Sequence, residues 1–135
     1  MIEYHSDLGQ ISPDDLGGFF VGGPRPPSAA THYRLLAASS EFGVAKESES
    51  SRVIGYIIAL SDGVLSAYIP HLEVRSEFRH RGIGSQLVRE VLDRLGEIYR
   101  IDRMCDEDVR PFYEKLGLTP SGGMMRRNYA NQSGL

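Results

Sequence analysis

Arg79-His80-Arg81-Gly82-Ile83-Gly84-Ser85 stands between an apolar extended stretch and a long amphipathic one. Upstream, Tyr68-Ile69-Pro70-His71-Leu72-Glu73-Val74 reads as a strand. Downstream, Ile83, Leu87, Val88, Val91, Leu92 and Leu95 recur at helical spacing. A strand that passes through arginines and two glycines into a helix builds an anion cradle. Glycine lets the backbone approach a ligand closely, and the first helical N–H groups have no intrahelical acceptor. The helix dipole adds partial positive charge at the same point, so a pyrophosphate is the expected occupant. Backbone N–H groups from Arg81 through Gly82, Ile83 and Gly84 to Ser85 are the candidate donors. Arg79, His80 and Arg81 supply the flank, and Ser85 adds a hydroxyl.

Spacing narrows the kind of pyrophosphate. A dinucleotide-binding turn wants Gly-x-Gly-x-x-Gly, but Leu87 occupies the third position. A nucleoside-triphosphatase loop wants Gly-Lys-Ser/Thr, and Gly84 is followed by Ser85-Gln86. Arg79-x-x-Gly82-x-Gly84 after Leu72-Glu73-Val74 resembles the coenzyme A signature of the GCN5-related N-acetyltransferases. Asp106-Glu107-Asp108-Val109-Arg110-Pro111-Phe112-Tyr113-Glu114-Lys115-Leu116-Gly117-Leu118 is similar to the C-terminal motif of the same superfamily, in the expected order. There a strand leads through Asn-x-x-Ala into a short helix ending Phe-Tyr-Glu-Lys-Leu-Gly-Phe. Asp106 stands where that motif has Asn, and Val109 where it has Ala. The close resemblance spans roughly residues 53 to 118.

That resemblance implies an α/β fold with a mixed, mostly antiparallel sheet of six to seven strands flanked by three to four helices. It implies acetyl-CoA as co-substrate, with the pantetheine arm in a slot between two splayed strands and Leu72, Val74 and Asp106 beside it. Tyr113 matches the family's usual general acid, a phenol close to the coenzyme sulfur. The reaction implied is transfer of acetyl to a primary amine, most simply of a small molecule. Small members of the superfamily often pair, so a homodimer is an expectation that no residue here marks.

The residues themselves say less about the acceptor. Thioester aminolysis needs a neutral amine at the carbonyl, a stabilised oxyanion and a proton for the thiolate. Glu73 and His71 alternate onto one face of the strand beside the cofactor, and Glu73 is a candidate base. Phe20, Arg25, Tyr33 and His71 are candidate acceptor linings. Arg25 lies among prolines that would present it at fixed geometry to a carboxylate. His5, His32 and His80 have no partner at a telling spacing and read as satisfied surface histidines. Cys105 reads as a small core residue, and direct transfer needs no covalent enzyme intermediate. The four histidines and one cysteine form no ligand-spaced cluster, so no metal is expected.

Composition sets the outer bounds. The chain of 135 residues, 41% hydrophobic and 24% charged, suits one globular domain over 1–135. Its apolar runs, such as Val53 to Leu60, fall short of the ~20 residues that cross a bilayer. No targeting address is visible, so cytoplasmic residence is the default expectation. A formal net charge of −3 argues against a nucleic-acid partner.

Along the chain, Ser12-Pro13-Asp14-Asp15 reads as a helix start that Gly17-Gly18 soon weaken. Gly22 to Pro27 reads as loop, and a second helix begins at the Ser28 cap. Strands are expected at Phe42–Glu47, Val53–Leu60, Val64–Val74, Ile98–Cys105 and Met124–Tyr129, with a hairpin turn at Ser61-Asp62-Gly63. Pro70 cannot donate to a ladder, which places a bulge beside it and a gap towards the Ile98–Cys105 strand. Three other functions fit parts of this pattern: a protein or peptide N-acetyltransferase, a silent acyl-CoA-binding module, and a nucleotide-binding protein.

Overall fold

The computed structural model describes residues 1–20 and 23–134. Five strands among them form one sheet in the order β1 (Ile2–His5), β2 (Glu41–Glu47), β3 (Val53–Ser61), β4 (Ser66–Val74), β5 (Arg100–Asp102). Three helices accompany it: α1 (Ala29–Ala38), α2 (Ile83–Leu95) and α3 (Arg110–Glu114). The first four strands are antiparallel, and β5 runs parallel to β4.

Strand β3 is the centre. Its residues from Val53 to Ala59 are all buried, because helices or chain cover both faces. Lys46 lies opposite Val53 and Ala45 opposite Gly55, so Ile54 is an extra residue that reverses the alternation. Ile54, Ile57 and Ala59 consequently face α2 and α3, with Ile83, Leu87, Val88, Val91 and Leu95 against them. Val53, Tyr56 and Ile58 face α1 and the N-terminal segment, with Leu16, Phe19 and Leu36. Each such aliphatic side chain contributes about 1.5–3 kcal/mol on burial.

Local chemistry sets the ends of the elements. The Ser12 N–H donates to the Asp15 carboxylate at 2.9 Å, starting a single 3-10 turn at Pro13–Leu16. The Ser28 hydroxyl accepts from the Thr31 N–H at 3.1 Å and caps α1. One Asp62 oxygen gathers the N–H groups of Val64, Leu65 and Ser66 at the β3–β4 turn.

Three expectations need correction. The sheet has five strands among the described residues, where six to seven were expected. The strand expected over Ile98–Cys105 is only Arg100–Asp102, because β4 turns away beyond Tyr68. Met124–Tyr129 makes no ladder: every residue from Thr119 to Gln132 is exposed, so no apolar face holds it to the sheet. A short first strand, Ile2–His5, was not anticipated and pairs with β2. Gly22, the start of the expected loop, lies outside the described residues.

Candidate functional site

The cradle forms where β4 hands the chain to α2. His80 at φ 65° and Gly82 at φ 79° are both left-handed, which folds the loop back onto the helix mouth. The first backbone bond of α2 is from Gln86 N–H to the Gly82 carbonyl at 3.0 Å. Among the described residues, the N–H groups of Arg81, Gly82, Ile83, Gly84 and Ser85 donate to nothing. This row of free donors, reinforced by the helix dipole, lies on a loop exposed from Arg79 to Gly82. Arg79 is exposed and donates through Nε to the Val74 carbonyl at 3.1 Å, while the Arg81 guanidinium lies over the Phe78 ring at 5.1 Å. A Cβ on Gly84 would sit 3.4 Å from Phe112, so α3 closes tightly against the helix mouth.

A slot runs from the cradle between β4 and β5. On β4, Ile58 pairs with His71 and Leu60 with Tyr68, leaving Ile69 and Pro70 opposite the single residue Ala59. This is the bulge that Pro70 foretold. Strand β5 pairs only along Ser66–Tyr68, after which the strands part. Arg75 N–H bonds to the Ile54 carbonyl, which turns Arg75 and Glu73 towards β3 and, by alternation, points the backbone groups of Leu72 and Val74 into the slot.

Tyr113 borders the slot from α3 and is buried. Its hydroxyl accepts from Arg103 Nε at 3.0 Å. Nη1 of the same arginine donates to the carbonyls of Ile69 at 3.0 Å and Pro70 at 2.9 Å. Sequence reasoning missed Arg103. The signal was there: alternation puts it on one face with Ile101 and Cys105, both packed on the core, and an arginine there needs buried acceptors.

The opposite face of β4 carries Glu73 and His71. The Phe20 N–H donates to Glu73 Oε1 at 2.8 Å, and Phe20 holds a left-handed φ of 64° to do so. The Phe20 and His71 rings meet edge to face at 5.6 Å. Burial, then the Arg103 charge, hold the His71 imidazole below its ordinary pKa. Burial and the Glu73 charge push the Tyr56 phenol up. His32, read from sequence as a surface residue, is instead fully buried among Phe19, Phe20 and Tyr56, because its spacing to Leu36 puts both on the inner face of α1. Neither of its ring nitrogens has a hydrogen-bond partner among the described residues.

The remaining candidates disperse. Tyr33 packs half-buried on the cluster of Leu16, Phe19 and Tyr56. Arg25 is exposed and bonds to none of the described residues. Asp106 is exposed at the start of a 3-10 turn, Glu107–Val109, and its side chain caps nothing. A groove of about 1110 Å³ lies along β5 and the C-terminal segment. It reaches Arg103 and Tyr113 but none of the residues from Leu72 to Ser85. The free amides from Arg81 to Ser85 lie outside this groove.

A model of the acetyltransferase (GNAT) family matches residues 10–118. A crystal structure of a candidate acetyltransferase from Deinococcus radiodurans R1 superposes with a TM-score of 0.96 at 46% identity, over 99% of this chain and 93% of that one. The chain is 29% identical over 133 residues to GCN5-related N-acetyltransferase 2, chloroplastic, of Arabidopsis thaliana, covering 83% of this chain and 52% of the relative. It is 29% identical over 76 residues to an uncharacterised N-acetyltransferase of Pyropia yezoensis, covering 55% of this chain and 44% of that one. The chain thus spans about half the length of the curated relatives it matches. With free amides at the mouth of α2, parted strands beside them and a family model matching from the N-terminal turns to Leu118, this chain belongs to the GNAT acetyltransferase family.

Proposed function

We propose that this chain transfers an acetyl group from acetyl-CoA to the primary amine of a small molecule. The row of free N–H groups from Arg81 to Ser85, opening onto the parted strands, carries this reading. A diphosphate placed there satisfies donors that the fold leaves unpaired, and an arm extending from it meets the backbone edge of Val74 and Leu72. When bound, acetyl-CoA supplies the acetyl group already activated as a thioester.

The chain's own residues then do three things. Backbone N–H groups at Leu72 and Val74 polarise the acyl oxygen and hold the carbonyl in place. The Glu73 carboxylate, fixed by Phe20, takes a proton from the incoming ammonium through its other oxygen, directly or through water. Tyr113 delivers a proton to the departing sulfur. The neutral, half-buried His71 and the ring of Phe20 border the approach to Glu73 and favour a compact acceptor.

Calorimetry with coenzyme A tests the cradle, and thiol release from acetyl-CoA with a panel of amines tests the chemistry. Gly84→Val is expected to weaken coenzyme A at least about 10-fold, because a branched side chain has no room beside Phe112. Unchanged affinity in a folded G84V protein would place the diphosphate elsewhere. Glu73→Gln is expected to lower kcat about 10²-fold at neutral pH. The loss should shrink at alkaline pH, where the amine arrives already neutral. A pH-independent defect would remove Glu73 from the role of base.

A further inference from the structure

We infer that Arg103 is a positioning residue that aims the Tyr113 proton into the slot, an inference that rests on the acid role given to Tyr113 above. In a regular strand, successive carbonyls point to opposite edges. The bulge at Ile69-Pro70 turns two consecutive carbonyls to the same side, and both end on Arg103 Nη1. That nitrogen carries two hydrogens, one for each carbonyl. The guanidinium is thereby locked in one orientation, and its single Nε hydrogen falls on the Tyr113 oxygen.

The direction of this last bond matters. A guanidinium has five N–H donors and no acceptor. Tyr113 must therefore accept, and its own hydrogen points away from Arg103. No acceptor for that hydrogen exists among the described residues, although the side chain is buried. Tyr113 lines the groove along β5, so that hydrogen is open to a bound molecule.

The amine nitrogen bonds to the acyl carbon, and the carbon–sulfur bond breaks with its electron pair on sulfur. The Tyr113 hydrogen passes to that sulfur as a proton. The phenolate left behind keeps the Arg103 N–H bond and regains a proton from solvent. The surplus amine proton goes to Glu73 and then to water.

Three substitutions separate aiming from bracing. Arg103→Lys supplies donors only. Arg103→Gln can brace the carbonyls but brings an oxygen that captures the phenol hydrogen. Arg103→Met does neither. Thiol release from acetyl-CoA is measured with hydroxylamine, an amine largely uncharged at neutral pH, in the wild-type and Tyr113→Phe backgrounds. Thermal stability and coenzyme A affinity by calorimetry are read alongside. R103Q is expected to hold near wild-type stability and coenzyme affinity yet lose about 10-fold or more in kcat, with R103K losing less. In the Y113F background, R103Q should cost no further activity.

An R103Q protein with wild-type kcat, or one whose loss is the same in both backgrounds, overturns the aiming role while leaving Tyr113 as acid. If Y113F itself keeps full activity, the acid role fails first and the aiming role with it. Should R103Q be unstable, the same comparison is made between R103K and R103M. Equal losses in those two would overturn the proposal.

Discussion

Replacing Tyr113 with phenylalanine is expected to lower kcat by about 10²-fold or more while coenzyme A binds with near wild-type affinity. The substitution removes one oxygen and leaves the ring, which packs edge to face on Phe112 at 4.9 Å. It therefore leaves the wall between α3 and the mouth of α2 in place, along with every donor of the cradle. What disappears is the Tyr113 phenol hydrogen, which has no acceptor among the described residues. Even the cysteine thiol, with a pKa of about 8.5, ends protonated at pH 7, and a simple alkyl thiol is more basic still, so a proton supplied to the departing sulfur is used. The proton counts because it arrives as the carbon–sulfur bond breaks and prevents return of the sulfur. Arg103 Nε also loses its acceptor, so a stability loss on the order of 1–2 kcal/mol is expected from a broken charge-assisted bond. Thiol-release kinetics with calorimetry on the same protein separate the two effects. Wild-type kcat in folded Y113F would remove the phenol from the chemistry.

Much of this architecture was legible because local chemistry and tertiary packing agreed. The helix expected from Ile83 to Leu95 is α2, since its apolar spacing and the flanking Gly82 and Gly96, both at positive φ, say the same thing. The Pro70 bulge was legible because a missing N–H has one consequence in a ladder, and that bulge opens the slot. The C-terminal segment was not legible. Met124-Met125-Arg126-Arg127 looks strand-like in composition, yet strand formation depends on a partner and a face to bury. On the far face of β4, Glu73 and His71 were correctly paired by alternation. What lay over that face, the Phe20 amide and ring, depends on a left-handed residue that composition does not announce. Arg103 and His32 were missed for one shared reason. His32 was read by its type, as surface, and Arg103 was not singled out, because in each a polar residue type hid a register that placed it inside.

His32 has a measurable consequence for the whole fold. Burial lowers its imidazole pKa from 6.5 to about 4; the Leu16 carbonyl opposes that shift, and the charges of His71 and Arg75 reinforce it. The unfolded chain takes up the proton as pH falls through 6.5, whereas the native protein refuses it until about 4. Across that window the unfolded state binds more protons, so stability must fall with pH. The difference amounts to about 3 kcal/mol, fully lost once pH drops below the native value. His71 adds to the loss in the same direction, since burial and Arg103 lower its pKa too. Urea denaturation between pH 7 and pH 4.5 should show this slope, and His32→Phe should flatten most of it. Phenylalanine fits the site well, since His32 contacts Phe19, Phe20 and Tyr56 through its ring at 5.4, 4.8 and 4.1 Å and neither ring nitrogen has a hydrogen-bond partner among the described residues. Burial of the imidazole outweighs what the Leu16 carbonyl returns, so the variant should be about as stable as wild type at pH 7. An H32F protein with the wild-type pH slope would mean that His32 is hydrated or protonated in the native state, and that the aromatic cluster under Phe20 is open to water.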